Sequence, residues 1–335
     1  MKEHVYNAVN TTVRLMETRL LSQADFDTLL HAENLHDALS QLKKTRYDFD
    51  LEALESQKNF DQLLTDELKK QYHELLEVVP DPRIINLFAL RYSYHNLKVL
   101  LKGQFTGRDL SHLMIPIGLY SKASLQNLVE TGQSEHLPDV MVEGVSLALK
   151  DYEETKRVQA ADVYMDTYYF KHLRTLANEL LDSRFNYLVN IMIDLKNLST
   201  LIRARQGQHS RSFLMTVLSS SGTVSKLDLV NSTESGEVKD ALPLFEGKDY
   251  SKDLENIFAN DDERQLAMHL ETLGNRIVHD FLADAMFEGF GPMPVLAYLF
   301  AVEMEVLNIR LILVGKDNGF SEEELRERMN PINVA

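Results

Sequence analysis

Apolar residues along this chain recur every three or four positions instead of alternating, the spacing that gathers them on one side of a helix. The run Leu188, Ile191, Met192, Leu195, Leu198, Leu201, Ile202 is an unbroken stripe of this kind. It predicts a helix from about 185 to 206, roughly 33 Å long at ~1.5 Å per residue. Breakers are sparse, with 14 Gly and 8 Pro in 335 residues, so the sequence predicts an all-α protein.

One helical pattern is written four times, each copy centred on an Asn and closed by a cation. The copies are Asn10-Thr-Thr-Val-Arg-Leu-Met-Glu-Thr-Arg19, Asn96-Leu-Lys98-Val-Leu-Leu-Lys102, Asn197-Leu-Ser-Thr-Leu-Ile-Arg203-Ala-Arg205 and Asn308-Ile-Arg310-Leu-Ile-Leu-Val-Gly-Lys316. The Asn-to-Asn spacings of 86, 101 and 111 residues are too long for a solenoid and suit small subdomains in series. The expected organisation is three similar helical subdomains in a pseudo-three-fold arrangement: 1–108, 109–208, and 209–335 with a truncated closing copy.

A short polar-started helix is expected after each copy, at Ser22 to Leu30, Arg108 to Leu113, Ser210 to Leu218 and Ser321 to Leu325. Ser or Asp there can accept from first-turn amides. Long helical hairpins fill the intervals: 58–79 into 83–102, 143–181 into 184–205, and 253–287 into 294–315. Pro80-Asp-Pro82 breaks the first joint and Gly289-Phe-Gly291-Pro-Met-Pro294 the third, whereas the joint near Asp182-Ser183 has no breaker. The stretch from Ser219 to Tyr250, rich in Ser, Thr, Gly and Asp, reads as loop with one short helix and as the mobile region of the chain.

Charge narrows the partners. With 51 acidic against 35 basic residues the formal charge is −16, which opposes nucleic acid and bare anionic lipid alike. Cysteine is absent, which removes disulfides, thiolate catalysis and Cys-ligated metals. The opening residues show no signal-peptide core, and the longest apolar run, Val295 to Val302, falls well short of the ~20 residues of a membrane helix. Neither a span nor an export signal is expected.

The recurrent Asn10, Asn96, Asn197 and Asn308 are candidate register residues that tie a helix to its neighbour by hydrogen bonds; a solvent-facing Asn is the plain alternative. Arg19, Lys98, Lys102, Arg203, Arg205, Arg310 and Lys316 stand out in so acidic a chain. A cation in a last turn is explained by the helix dipole alone, at about 0.3 to 1 kcal/mol, but recurrence at matched positions makes these candidate partner contacts. Tyr164, Tyr168, Tyr169 and Phe170 form an aromatic cluster expected to pack between helices. His279-Asp280, with His269 and Asp284 nearby, is the one arrangement reminiscent of a metal-dependent phosphohydrolase, and an exposed His on an amphipathic helix is its ordinary counterpart. Phosphate-binding loops, His-Glu-x-x-His and Gly-x-Ser-x-Gly are missing, so no catalytic residue, cofactor or metal ligand is assigned.

The chain resembles the family of the C subunits of prokaryotic V-type and A-type rotary ATPases, whose counterpart in eukaryotic vacuolar enzymes is the d subunit. The resemblance is carried by Tyr6-Asn-Ala-Val-Asn10-Thr-Thr-Val-Arg14-Leu-Met-Glu17-Thr-Arg19-Leu-Leu-Ser22, by Leu35-His-Asp37-Ala-Leu39-Ser-Gln-Leu42-Lys-Lys-Thr45-Arg-Tyr47, and by the places of the Asn96, Asn197 and Asn308 helices. It covers essentially the whole length. It implies a non-catalytic funnel at the cytoplasmic face of the membrane, peripheral through its complex. In that family the funnel lies between the central-stalk shaft and the membrane rotor ring, and couples ATP hydrolysis or synthesis to H+ or Na+ movement. The second position after each Asn departs from uniformity, with Lys98 and Arg310 in two copies but Thr12 and Ser199 in the others, so a basic rim would be uneven. An all-α scaffold for another helical partner, told apart by what co-purifies, is the alternative reading.

Overall fold

A computed structural model describes residues 3–233, 236–260 and 265–332, with the side chains of all but 3, 4 and 286. Among the described residues every regular element is helical and there is no strand. In chain order the helices are α1 (Asn7–Glu17), α2 (Gln23–His31), α3 (Leu35–Leu42), α4 (Leu51–Gln57), α5 (Phe60–Val78), α6 (Arg83–Thr106), α7 (Lys122–Thr131) and α8 (Asp139–Thr155). They continue with α9 (Ala160–Glu179), α10 (Ser183–Gln206), α11 (Arg211–Val217), α12 (Lys226–Ser232), α13 (Ser251–Asn260), α14 (Leu266–Ala283), α15 (Met293–Asp317) and α16 (Glu322–Arg326).

The helix starts follow capping chemistry. Ser22, Asn34, Asp50, Ser121, Asp182, Ser210, Ser225 and Ser321 each accept a first-turn amide with the side chain. At Ser22 and Ser321 the box is reciprocal, with Asp25 and Glu324 reaching back.

The chain forms two compact units. One comprises the residues up to Ile85 together with those from Val278 on; the other is Asn86–Ile277. In the first unit α15 is the core helix, packed by α1, α3 and α5. Its residues Met293 to Val306 are buried on every side, so no polar face exists there, and its carboxylates are met by dedicated partners. Tyr72 donates to Glu303 Oε1 at 2.5 Å and Tyr298 to Gln71 Oε1 at 2.5 Å, joining α5 to α15 through hydroxyls. In the second unit α8 and α9 form an antiparallel hairpin and α10 packs along α9 around Met165, Leu173, Phe185, Leu188 and Ile193. The aromatic cluster lies in this packing: Tyr169 meets Tyr94 edge-on at 5.8 Å and Phe170 at 4.9 Å, and Lys171 lies over the Tyr168 ring.

Several expected elements differ. The stretch 143–181 is two helices, because Lys156 turns left-handed at φ 57° and ends α8. The expected helix after Asn96 is only a 3-10 turn, Ser111–Leu113, and the next α-helix waits for the Ser121 cap. The stretch 253–287 contains α13, α14 and a 3-10 turn, with 261–264 outside the described residues. The segment 219–250 holds α12 and the 3-10 helix Val238–Phe245, one helix more than expected, and its first residues are hydrogen-bonded within unit two. Residues 234 and 235 of it lie outside the described residues. The breaker-free joint at Asp182-Ser183 exists as expected: Asp182 caps α10, and Leu181 before it takes φ 54°.

Candidate functional site

At three of the four Asn positions the side-chain amide brackets one distant residue, donating to its carbonyl and accepting from its N–H. Asn96 Nδ2 donates to Ile115 O at 2.7 Å while Ile115 N donates to Asn96 Oδ1 at 2.8 Å. Asn197 makes the same pair with Ser219 at 2.9 and 2.8 Å, and Asn308 with Asn330 at 3.1 and 2.8 Å. A carboxamide is suited to this because it carries one donor and one acceptor group in a plane, as a peptide does, so it behaves as one rung of a ladder. All four asparagines are buried. Asn10 differs: its Nδ2 donates to Gly289 O and Gly291 O at 3.3 and 3.1 Å, and its Oδ1 is buried without a hydrogen-bond partner.

A second feature recurs with the bracket. The residue eleven positions after each bracketing Asn is left-handed: Gly107 at φ 67°, Gln208 at φ 53° and Gly319 at φ 75°. That conformation ends the helix and frees the chain to reverse, at no steric cost for Gly and some cost for Gln208. The buried position three before the Asn supplies a further anchor of variable chemistry. Asp194 accepts from Thr223 N at 2.7 Å, from Val224 N at 3.2 Å and from the Thr223 hydroxyl. Glu305 accepts from Leu21 N and Arg46 at 2.6 Å and from Tyr47 at 2.8 Å. Burial pushes the Glu305 carboxyl above its ordinary range, against the pull of Arg46, the Leu21 amide and Tyr47. Ser93 in the corresponding place has no hydrogen-bond partner for its buried hydroxyl.

The sequence patterns above single out neither Asp194 nor Glu305, nor Arg174, which donates to Ser221 O, Asn186 Oδ1 and Asn190 Oδ1. A signal for the two acids does exist: a carboxylate inside an apolar stripe, at the same offset from the Asn in two copies. Nearby, burial pushes the His172 imidazole down to about 4, so it stays neutral beside the Tyr94 hydroxyl at 3.2 Å.

The candidate cations have varied fates. In the second unit Lys98 pairs with Asp166 at 2.5 Å, Lys102 with Asp162 at 2.7 Å and Arg203 with Glu271 at 2.6 Å, while Arg205 donates to Gly236 O. In the first unit Arg310 pairs with Asp61 at 2.6 Å and Lys316 donates to Leu30 O at 2.7 Å. Arg19 is exposed and its side chain has no partner among the described residues. Lys98, Lys102 and Arg310 lie inside their helices, not in the last turn, so dipole compensation explains Arg203, Arg205 and Lys316 alone. His279 Nδ1 lies 3.1 Å from Asp280 Oδ1, and among the described residues no three His, Asp or Glu side chains are placed to share a metal ion. An open cleft of about 460 Å³ at the end of α6 is lined by Arg108, Lys122, Asp109 and Glu130, cations and carboxylates in balance.

What these features define is an all-helical protein in which long core helices are pinned to distant segments by buried amide and carboxylate clasps. The chain belongs to the ATP synthase (C/AC39) subunit family, whose family model matches residues 9–328. It is 32% identical to the C subunit of the V-type sodium ATPase of Enterococcus hirae over 98% of both chains. It is 22% identical to the C subunit of the A-type ATP synthase of Methanocaldococcus jannaschii, over 96% of this chain and 85% of that one. The C subunit of the A-type ATP synthase of Pyrococcus abyssi is 23% identical, over 98% and 90%. Among the described residues no helix is long and apolar enough to cross a membrane.

Proposed function

We propose that the chain is a non-catalytic coupling subunit of a V/A-type rotary ATPase. It joins the central-stalk shaft to the membrane rotor ring at the cytoplasmic face, so that ATP hydrolysis or synthesis is coupled to H+ or Na+ movement. The observation that carries this reading is the family match along residues 9–328, together with a V-type sodium ATPase C subunit that is matched end to end.

The physical features support it. Torque passes through a body only if its elements cannot slide, and a buried two-point amide bracket resists sliding because any shift strands a donor and an acceptor together. The recurrence of bracket and left-handed turn favours three related subdomains, 1–108, 109–208 and 209–335, arranged as a pseudo-three-fold funnel. Asn10, Asn96, Asn197 and Asn308 act as its register residues. Lys98, Lys102, Arg203, Arg205, Arg310 and Lys316 serve as contacts only by leaving their present partners, whereas Arg19 is available as it stands.

The test is recovery of the tagged chain from detergent-solubilised membranes, with identification of its companions. Recovery of a small multi-copy ring protein together with a coiled-coil stalk protein is the expected result. The chain arriving alone, or with unrelated helical proteins, removes the proposal.

A further inference from the structure

One guanidinium in the core of the first unit sits between two carboxylates that come from different helices. Arg46, in the joint between α3 and α4, donates to Glu305 Oε1 of α15 at 2.6 Å, and its other amino nitrogen lies 3.7 Å from Glu67 Oε1 of α5. The first contact is a charge-assisted hydrogen bond and the second an ion pair short of bonding distance. The second seat is already fixed in place: Gln71 donates to Glu67 at 2.8 Å and itself accepts from the Tyr298 hydroxyl.

Glu305 holds more than Arg46. Its Oε2 accepts from the Leu21 amide in the joint between α1 and α2, and Tyr47 donates to its Oε1. Beside it lies a cavity of about 10 Å³ lined by Leu20, Phe26, Asn308 and Ile332, room for the one water that an added O–H could bond. The remaining titratable groups around α15 are engaged elsewhere or face solvent. Glu303 is taken by Tyr72, Glu17 of α1 by Arg14, and on α3 His36 pairs with Glu55 while Asp37 accepts from Asn34. On α5 Glu74 acts on Tyr298, Asp284 before α15 is exposed, and in α16 Glu322 pairs with Arg326 while Glu324 caps the helix.

We propose that Arg46 is a proton-driven switch: a proton added to Glu305 passes the guanidinium from α15 to Glu67 on α5 and loosens the joints at Leu21 and Tyr47. Charge-assisted bonds are roughly twice as strong as neutral ones, so neutralising Glu305 weakens all three of its contacts at once. Glu305 takes the proton before Glu67 because its side chain is 4% exposed against 13%. Burial pushes its carboxyl above the ordinary range, against the pull of Arg46. Arg46 stays charged throughout, since Glu305, Tyr47 and Glu67 outweigh burial and hold it above its ordinary range. A carboxyl raised in the folded state takes its proton at a higher pH folded than unfolded, so acid works the switch without unfolding the chain through this group.

The test is NMR on the full chain, with labelled Glu and Arg side chains and backbone amides, titrated from about pH 8 to 4. Glu305 is expected to titrate with a midpoint above the ordinary glutamate value, and the Leu21 amide and Arg46 guanidinium signals move with that same midpoint. Glu305→Gln holds both signals at their acid positions at every pH. Glu67→Gln removes the second seat, so the Glu305 midpoint falls by about one unit, tenfold in proton affinity, and the Arg46 signals no longer move to the acid position. Helix content by circular dichroism stays at the wild-type value in both variants; should Glu305→Gln lower it, the wild-type titration and Glu67→Gln decide. A Glu305 midpoint at or below the ordinary value, Arg46 signals that stay flat while Glu305 titrates, a pH dependence that survives in Glu305→Gln, or a midpoint unmoved by Glu67→Gln overturns the switch.

Discussion

Two stretches of the second unit meet the same kind of bracket and are held to different depths. After α6 the chain returns at Ile115, where Asn96 takes its N–H and carbonyl, and the next anchor position, Ser93, bonds nothing although Gly118 runs close over its hydroxyl. After α10 the chain returns at Ser219 under Asn197, and Ser221, Thr223 and Val224 beyond it are each bonded. Arg174 takes the Ser221 carbonyl, Asp194 takes the Thr223 and Val224 amides, and Lys248 reaches the Thr223 hydroxyl at 2.5 Å. Gly222 passes so near the Asp194 carboxylate that a side chain there would collide with it. The Asn sets where a returning segment lands, and the residue three positions earlier decides how much of the segment is held after landing.

Asp194 carries the largest expected difference between the two segments. It is wholly buried, and removing it leaves the buried Val224 amide and the partly solvated Thr223 amide and hydroxyl without their partner. Asp194→Ala is expected to cost about 3–4 kcal/mol in urea unfolding, since each of the three hydrogen bonds to the carboxylate carries roughly 1.5–3 kcal/mol, most of it kept at the buried Val224 amide and less at Thr223, where solvent replaces part of the loss. Amide hydrogen exchange localises the loss: Thr223 and Val224 lose protection, while Ile115 keeps it. Equal loosening of both segments would mean that the carboxylate supports the unit as a whole and not one landing site.

A middle-sized effect separates the two brackets. Asn197→Ala is expected to cost about 2–3 kcal/mol and Asn96→Ala about 1–2 kcal/mol, because the Asn197 bonds are fully buried and the Asn96 bonds partly so. The measurement is again urea unfolding, with the two variants compared at one temperature. The reverse order would show that Asn197 is redundant beside Asp194, which would make the carboxylate the primary anchor.

What is legible in the sequence follows from what each signal measures. Helix class comes from periodicity, because burial of one helical face is written in composition at three and four residue spacing. The short helices beginning after Ser22, Ser210 and Ser321 are legible because the cap is a local hydrogen bond between near neighbours. The break at Lys156 is not, since nothing marks a Lys for a left-handed turn. Nor is the order in 219–224, which depends on Asp194, Arg174 and Lys248 arriving from elsewhere in the chain. The polar composition that suggests mobility is the same composition that lets the segment be bonded. Asn96, Asn197 and Asn308 can be picked out by recurrence, but their partners lie 19 or 22 residues on, in segments with no shared motif. Recurrence picks out the cations as a set but not their bonding, since six of them are bonded inside their own unit by residues that carry no shared motif.

The smallest predicted effect tests the comparison from its weaker side. Ser93 is fully buried and its hydroxyl has no hydrogen-bond partner, so the folded state already carries the cost of desolvating that group. Ser93→Ala removes the hydroxyl without stranding a second group, and the space opened beside Gly118 is a single oxygen atom. The two terms nearly cancel, and the change expected in urea unfolding is within about 0.5 kcal/mol, on the stabilising side if either. Protection of the Ile115 amide should stay at the wild-type level, since its bond is to Asn96 alone. A loss above about 1.5 kcal/mol would mean that Ser93 holds the 115–118 segment through a bound water. The two regions would then differ in what fills the anchor position and no longer in whether it is filled.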